Sequence, residues 1–591
     1  MVGMIRRTLA TSLVIAILSA CAGGGGGGGG HGGGGQGTPG PTLTSLSPSS
    51  VQAGNPAFTL TINGSGFVAG SSVTWNGANL GSYTFVSSTQ VTISVGAALV
   101  TGQGSASIIV TGAVGTGTNP SNAIAFTIKP FTQSACVLFG TYDFFFTGFD
   151  STGPVTTAGA FGVDANGNVS GEVDYKDLMA ARAAQPVTGG SCTNGSTTND
   201  GTLTITTAAG TSTYTFSTQG LPVPGVRGRI VESGDTNGIS GSGRFVFTPA
   251  NSGFFSGDFV IALVGADAGG HRMGVAGRFT DMDMNNTTGT LSNGIADIND
   301  NGTITTAATI TGSVTPPDAN SRATATLTIG NQPFKLAFYV LGPQAGFAVD
   351  VDSAGSGALL AGFVNAQPNA GLYGNGNLNA PVVFSTWGAV SGMPATSDTA
   401  VGVASAFNSS TGMSSLQLDA VAGGVATVNQ TIPAMYNIAS TGRGTMSYTL
   451  GGKPYNFVLY LDGTNDGYIL QTDTTGSIQF GFFEAQANVA FTNAVINGTF
   501  AGGTWFNPVP TSPNTAAQFT FSNGNISATT PTGPLTGTYN VSPTGRGAGM
   551  ITQAVFGSSN IVFYIIGSGA IEVMGADAVA GQGDAISFLH Q

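Results

Sequence analysis

Charge is what this chain has least of: Lys, Arg, Asp and Glu together make up 7% of its 591 residues. Polarity must therefore come from hydroxyls, amides and the backbone. The net charge is −12, or about −14 without Arg6 and Arg7, and no basic cluster is present anywhere. Without a stripe of cations to track a phosphate backbone, nucleic acid is excluded as a partner. Histidine occurs only at 31, 271 and 590. A Ser–His–Asp or Cys–His arrangement would rest on His271 alone, in a turn beside Gly269, Gly270 and Arg272, with no Gly-x-Ser-x-Gly elbow to support it. His31, in a glycine tract, has no second ligand near it. Glutamate is confined to 172, 232, 484 and 572, and most aspartates stand beside Gly or Asn, where they accept backbone hydrogen bonds in turns. A glycosidase needs two carboxylates facing each other across a cleft, and nothing in the sequence pairs them. The expectation is a protein that is not an enzyme and holds no cofactor.

Helix formers are scarce too. Only Asp177–Ala184, DLMAARAA, has helix-forming composition, and it is expected as one short turn of helix in a loop. After the N-terminus no run approaches the roughly eighteen apolar residues of a spanning helix. What is abundant is Gly, at 95 positions, with Ser, Thr and Asn, on a background that is 41% hydrophobic. Gly supplies the positive φ of hairpin turns, while Thr, Val, Ile and Phe fit a pleated surface, so the fold class is all-β.

Residues 1–20 carry Arg6 and Arg7, an apolar run from Leu9 to Leu18, and then Ser19 and Ala20 before Cys21. This is a secretory signal, too short to span. Leu18-Ser19-Ala20-Cys21 resembles the lipobox of bacterial lipoproteins, which implies that Cys21 is acylated and becomes the mature N-terminus. Each buried methylene contributes about 0.8 kcal/mol, and stable anchoring needs more than one chain; the resemblance implies three. Ala22 after the cysteine is compatible with release to the outer membrane. The expected location is outside the cytoplasm, at the outer membrane or cell surface, with the membrane as a partner. Residues 21–40 are nearly all Gly, a flexible leash with an end-to-end distance of about 25 Å.

From 41 to 129, short alternating runs such as Phe58–Ile62, Val91–Val95 and Ser107–Val110 are separated by Gly and Asn turns, the pattern of a small β-sandwich. Ser47-Pro48, Asn63-Gly64-Ser65-Gly66-Phe67, Val73-Thr74-Trp75-Asn76-Gly77 and the closing Asn122–Ile128 resemble the IPT/TIG domain, the immunoglobulin-like module of surface proteins. The resemblance implies a fold and a habit of surface display, not a ligand.

The remainder repeats. KPYNFVLYLDGTNDGYILQTDTTGSIQFGFFEAQ, ending at Gln486, recurs as QPFKLAFYVLGPQAGFAVDVDSAGSGALLAGFVNAQ, ending at Gln367, again at the C-terminus, and more distantly from Thr213 to Phe247. Four copies imply four units, at 131–250, 251–370, 371–487 and 488–591. A strand-sized run every 10–14 residues gives roughly eight strands per unit, either small barrels or sandwiches. Barrels are favoured because hairpins join the segments and closure removes sheet edges.

Cys136 and Cys192 in the first unit are expected to form a disulfide, as leftover thiols of an exported protein usually do. Asp297, Asn299 and Asn301 before Gly302 match half of an EF-hand loop, a site for structural Ca²⁺, but Ala308 replaces the bidentate Glu. Asp235, Asp352, Asp473 and Asp577 share one repeat position; Arg443 and Arg546, with Arg322 in a looser copy, share another. Ion pairs are expected among Arg443, Asp473, Arg546 and Asp577, inside a barrel or across its rim, fixing register. Trp387 and Trp505 are candidate sugar-stacking platforms, against a core role.

Together these features predict a non-enzymatic, lipid-anchored surface protein for display, adhesion, or binding of a polysaccharide or protein partner. Two rivals remain: a carbohydrate-active enzyme or its accessory module, and an outer-membrane β-barrel.

Overall fold

The computed structural model describes residues 40–590, apart from 54, 56, 82, 101, 113–118, 130–135, 196–198, 220–226, 236–238, 249–254, 282–287, 354–356, 391–395, 475–476, 505–515, 531–532, 555–556 and 578–585. The leader, Cys21 and His31 lie outside these residues, as does Trp505.

Alternation builds the first domain. Leu60 and Ile62 on one strand, and Val91, Ile93 and Val95 on its neighbour, are buried, while the residues between them face outward. A four-stranded sheet (Thr42–Ser47, Phe58–Ser65, Gln90–Val95, Tyr83–Ser87) packs with a five-stranded one (Ser50–Gln52, Ile124–Lys129, Gly104–Thr111, Ser72–Trp75, Ala78–Asn79). Trp75 and Phe126, 5.2 Å apart between ring centroids, sit in their common core.

Four barrels follow, each a chain of antiparallel hairpins. Barrels 2, 3 and 4, at 257–366, 382–485 and 498–590, have eight strands and close by pairing the first strand with the eighth. Barrel 1, at 140–247, closes through a broken fourth strand. Its halves, Ala181–Val187 and Cys192–Asn194, form the two edges of one sheet. The residues between them bridge those edges, Ser191 to Asn168 and Gly189 to Thr206. The Cys136–Cys192 disulfide pins this break to the start of the barrel, across a sequence separation of 56. Closing a loop of that length contributes about 4 kcal/mol in the chain-entropy model.

DLMAARAA is not helical. Asp177 accepts hydrogen bonds from the Met179 and Ala180 amides, at 2.6 and 2.5 Å, and so forms a turn. The chain then enters the strand Ala181–Val187. Pairing with the neighbouring strand, Val169–Lys176, outweighs local helix propensity.

Inward-facing residues give each barrel its own apolar interior: Phe144, Phe161 and Phe245 in barrel 1, and Phe259, Phe279 and Phe338 in barrel 2. Barrels 3 and 4 repeat this with Phe384 and Leu459, and with Phe500 and Phe563. The four units are not independent beads, however. A fifth apolar cluster lies between them and draws on all four, including Phe145, Phe347, Phe363, Trp387, Phe480, Phe482, Val562 and Met574. Strands 1 and 2 of each barrel pack on strands 6–8 of the next from barrel 1 to 2 and 2 to 3, and on strands 6 and 7 from barrel 3 to 4. Strands 1 and 2 of barrel 4 then pack on strands 6 and 7 of barrel 1. A head-to-tail interface that returns to its origin is a closed ring, so barrels 1 and 3 lie diagonally across an axis.

Candidate functional site

Three of the four seams share one device. On the third strand of barrels 1, 2 and 3 (Val169–Lys176, Gly289–Asp300, Met413–Ala422), pairing slips at a β-bulge beside Asp174, Asp297 and Asp419. Opposite each bulge stands a residue with positive φ, respectively Ala184 (52°), Ala307 (49°) and Asn429 (51°). Its amide donates to the aspartate, at 2.8, 3.1 and 2.7 Å. The bulge turns the carboxylate toward the next barrel. There Asp174 accepts Arg322 Nε and Nη2 at 2.7 and 2.9 Å and the Tyr339 hydroxyl at 2.7 Å. Asp297 accepts Arg443 twice at 2.7 Å and Tyr460 at 2.7 Å. Asp419 accepts Arg546 at 2.7 and 2.6 Å and Tyr564 at 2.8 Å. All three carboxylates are fully buried. Burial, and then the adjacent carboxylate, push the three phenols upward, so that they stay protonated donors.

The seam between barrels 4 and 1 lacks this clamp. The third strand of barrel 4, Asn525–Thr530, carries no aspartate and no bulge. Gln518 takes over, donating to Ser217 Oγ at 2.7 Å and to the Thr218 and Asn199 carbonyls at 3.0 and 3.3 Å.

A pocket of about 820 Å³ opens on the axis, within the range of ligand sites. It is lined by barrels 1, 2 and 3, and its walls differ in chemistry. Barrel 1 supplies Arg227 and Arg244, barrel 2 supplies Phe347, Phe363 and Asn365, and barrel 3 supplies Asp462, Asp466, Tyr468, Phe482 and Glu484. The Arg244 guanidinium lies 5.6 and 5.2 Å from the ring centroids of Phe347 and Phe363, a cation–π arrangement. Burial, helped by the charge of Arg227, pulls it down to about 9. On the opposite wall, Asn365 Nδ2 donates to Asp462 Oδ2 at 2.9 Å and to the Tyr468 hydroxyl at 2.8 Å. Asp462 Oδ1 is buried with no hydrogen-bond partner among the described residues. Burial pushes Asp462 up to about 6, with Glu484 adding to it. Burial and the neighbouring carboxylates raise Asp466 as well. The pocket therefore sets cations against anions across an aromatic floor.

The sequence-based expectations fare unevenly. Cys136 and Cys192 form the disulfide. The ion pairs are rewired: Arg443 reaches Asp297 rather than Asp473, and Arg546 reaches Asp419 rather than Asp577. Asp473 and Asp577 instead accept the backbone amides of Asn456 and Asn560, at 2.9 and 2.7 Å, as strand-end ties. The EF-hand-like run is used otherwise. Asp297 is the clamp, Asn299 donates to the Gln471 carbonyl at 2.8 Å and accepts the Gly302 amide at 2.9 Å, and Asn301 sits at positive φ in the hairpin turn. The Asp297 and Asn299 side-chain oxygens are thus engaged within the protein. Trp387 is fully buried in the inter-barrel core, so it cannot stack on a sugar. His271 is in an exposed turn, its Nδ1 3.0 Å from Asp267 Oδ2. No sequence pattern brings the axial residues Arg227, Arg244, Asp462, Asp466 and Glu484 together, although three arginines within 227–244 are unusual among 15 Lys and Arg.

Residues 41–128 match the family model of the IPT/TIG domain. The sandwich at the N-terminus is an IPT/TIG domain, which carries a binding or surface-associated role in general. No curated protein matches the chain.

Proposed function

We propose that this is an exported, lipid-anchored, non-catalytic binding protein, displayed through Cys21 and the Gly leash, whose ring of barrels takes part of a protein partner into the axial pocket. The single observation that carries this reading is that pocket, with charged walls of opposite sign and an aromatic floor on three cooperating barrels. Burial of Trp387 removes one of the two candidate sugar platforms, and the charged walls of the pocket favour a protein or peptide ligand. Apolar barrel interiors also weigh against a transmembrane barrel, whose apolar side faces lipid and whose lumen is polar. The outward positions of Thr303–Val314, rich in Thr and largely accessible, fit contact with water.

One observation favours a second reading. Asp462, Asp466 and Glu484 are raised carboxylates in a cleft, which is how acid–base sites are built. All three come from one wall, and the facing wall is cationic, so they do not flank a scissile bond as a glycosidase pair does.

The full mature chain should retain ligands on peptide arrays but not on glycan arrays, and Ala345→Trp, which fills the pocket, should abolish retention without unfolding the protein. Polysaccharide hydrolysis by the wild type that is lost in Asp466→Asn would replace the binding reading with the enzymatic one. Labelled palmitate should enter the protein in cells and be lost in Cys21→Ser; incorporation that survives the substitution would remove the anchor.

A further inference from the structure

Resting on the reading of the axial pocket as a binding site, we infer that its ligand is a small zwitterion, with an anionic group held at Arg227 and Arg244 and an ammonium held at Asp462, Asp466 and Glu484. Because barrels 1 and 3 are diagonal in the ring, the two charged walls face each other, and an occupant must span the axis to satisfy both. The floor between them is apolar. Phe145 packs 5.1 Å from both Phe347 and Phe363, and Phe363 stacks on Tyr468 at 5.9 Å. A molecule charged at its ends and apolar in the middle matches all three surfaces, and a short apolar peptide with free termini has that layout.

Each wall is also prepared for a partner. A guanidinium presents a planar fork suited to a carboxylate or phosphate, and Arg244 is held in place by two rings. Asp462 is fixed through one oxygen by Asn365, leaving its buried Oδ1 to accept from a ligand donor. A purely anionic ligand would meet three carboxylates, and a purely cationic one would meet two arginines. Only a zwitterion avoids a like-charge contact while desolvating both walls. Among the described residues the lining comes from barrels 1, 2 and 3, whose walls differ in charge, and such a site suits one asymmetric ligand.

Calorimetry on the full mature chain tests this, using an apolar tripeptide with free termini, its N-acetylated and C-amidated forms, and phosphocholine. The free tripeptide is expected to bind, with either blocking group weakening it at least tenfold. Arg227→Gln should abolish the penalty for amidation and Asp466→Asn the penalty for acetylation, both being exposed positions that leave the fold unchanged. Phosphocholine binding in place of the peptide would assign the zwitterion to a headgroup rather than to chain termini and keep the inference. Equal binding of blocked and free peptides, or binding of none of these probes, overturns it. Array ligands that bind equally well when blocked and are still lost in Ala345→Trp would show that the pocket reading survives and only the zwitterion fails; ligands insensitive to Ala345→Trp would remove both.

Discussion

The ring's first three seams and its fourth solve the same packing problem with different chemistry. Where consecutive barrels meet, a buried aspartate on a bulge receives two guanidinium bonds and a phenol from the next barrel. Where the last barrel meets the first, the neutral Gln518 side chain makes the hydrogen bonds, beside the buried Arg229 of barrel 1, which feels the charge of Glu572 in barrel 4. Buried charges demand complete pairing, and each clamp pairs its aspartate with the bulge amide, the arginine and the tyrosine. That pairing fixes which barrel sits beside which, and at what register. The closing seam inherits its partners once the other three are set, so it needs less specification. The barrels thus differ by position in the chain: the first lacks the arginine and tyrosine, the last lacks the aspartate.

Breaking a clamp should have the largest effect. Asp297→Ala strands the Arg443 guanidinium and the Tyr460 hydroxyl in a buried seam, and a loss of about 3–5 kcal/mol in urea unfolding is expected. A loss below about 1 kcal/mol would show that the clamps do not hold the ring. Gln518→Ala should cost less, about 1–2 kcal/mol, because neutral hydrogen bonds are lost. If it matched Asp297→Ala, the contrast between the seams would disappear. Smallest is the response to pH, which sharpens the same contrast within the seam of barrels 1 and 2. There the Lys176 ammonium meets Asp350 and donates to the Ala358 carbonyl at 2.8 Å, and burial raises Asp350 to about 6 despite that partner. Asp462 is raised to about 6 as well. A raised carboxyl contributes stability that is complete below the unfolded value of about 3.9 and lost as pH rises through about 6. Melting should therefore occur a few degrees higher at pH 5 than at pH 7.5, on the order of 1 kcal/mol. A lower melting temperature at pH 5 would mean that Asp350 and Asp462 do not govern the response.

Much of the fold was legible in the sequence. The recurring stretches that end at Gln367 and Gln486 are strands 6–8, which present one face to the preceding barrel and another to the axis; two such duties constrain them most. The terminal glutamines recur for a visible reason: Gln367 donates to the Leu461 carbonyl at 2.7 Å and Gln486 to the Ile565 carbonyl at 2.9 Å, each reaching the following barrel. The clamp also left a trace. Asp174, Asp297 and Asp419 recur at nearly even spacing, and Arg322, Arg443 and Arg546 recur once per unit, with the two series displaced by one unit. That displacement is the mark of pairing between units rather than within them, whereas the partners expected from the sequence, Asp473 and Asp577, belong to the same units as the arginines. The error came from treating a repeat as self-contained.

Strand periodicity, turn residues and the fourfold recurrence are local or near-local properties, so the sequence alone determined that the body is all-β, opens with an immunoglobulin-like module and continues as four similar units. The bending of those units into a ring, the burial of Trp387, and the placing of Arg244 and Asp462 in one pocket depend on residues more than a hundred positions apart. Such contacts arise only after each barrel has closed and its outward faces compete for partners, and no local pattern encodes which of those faces win.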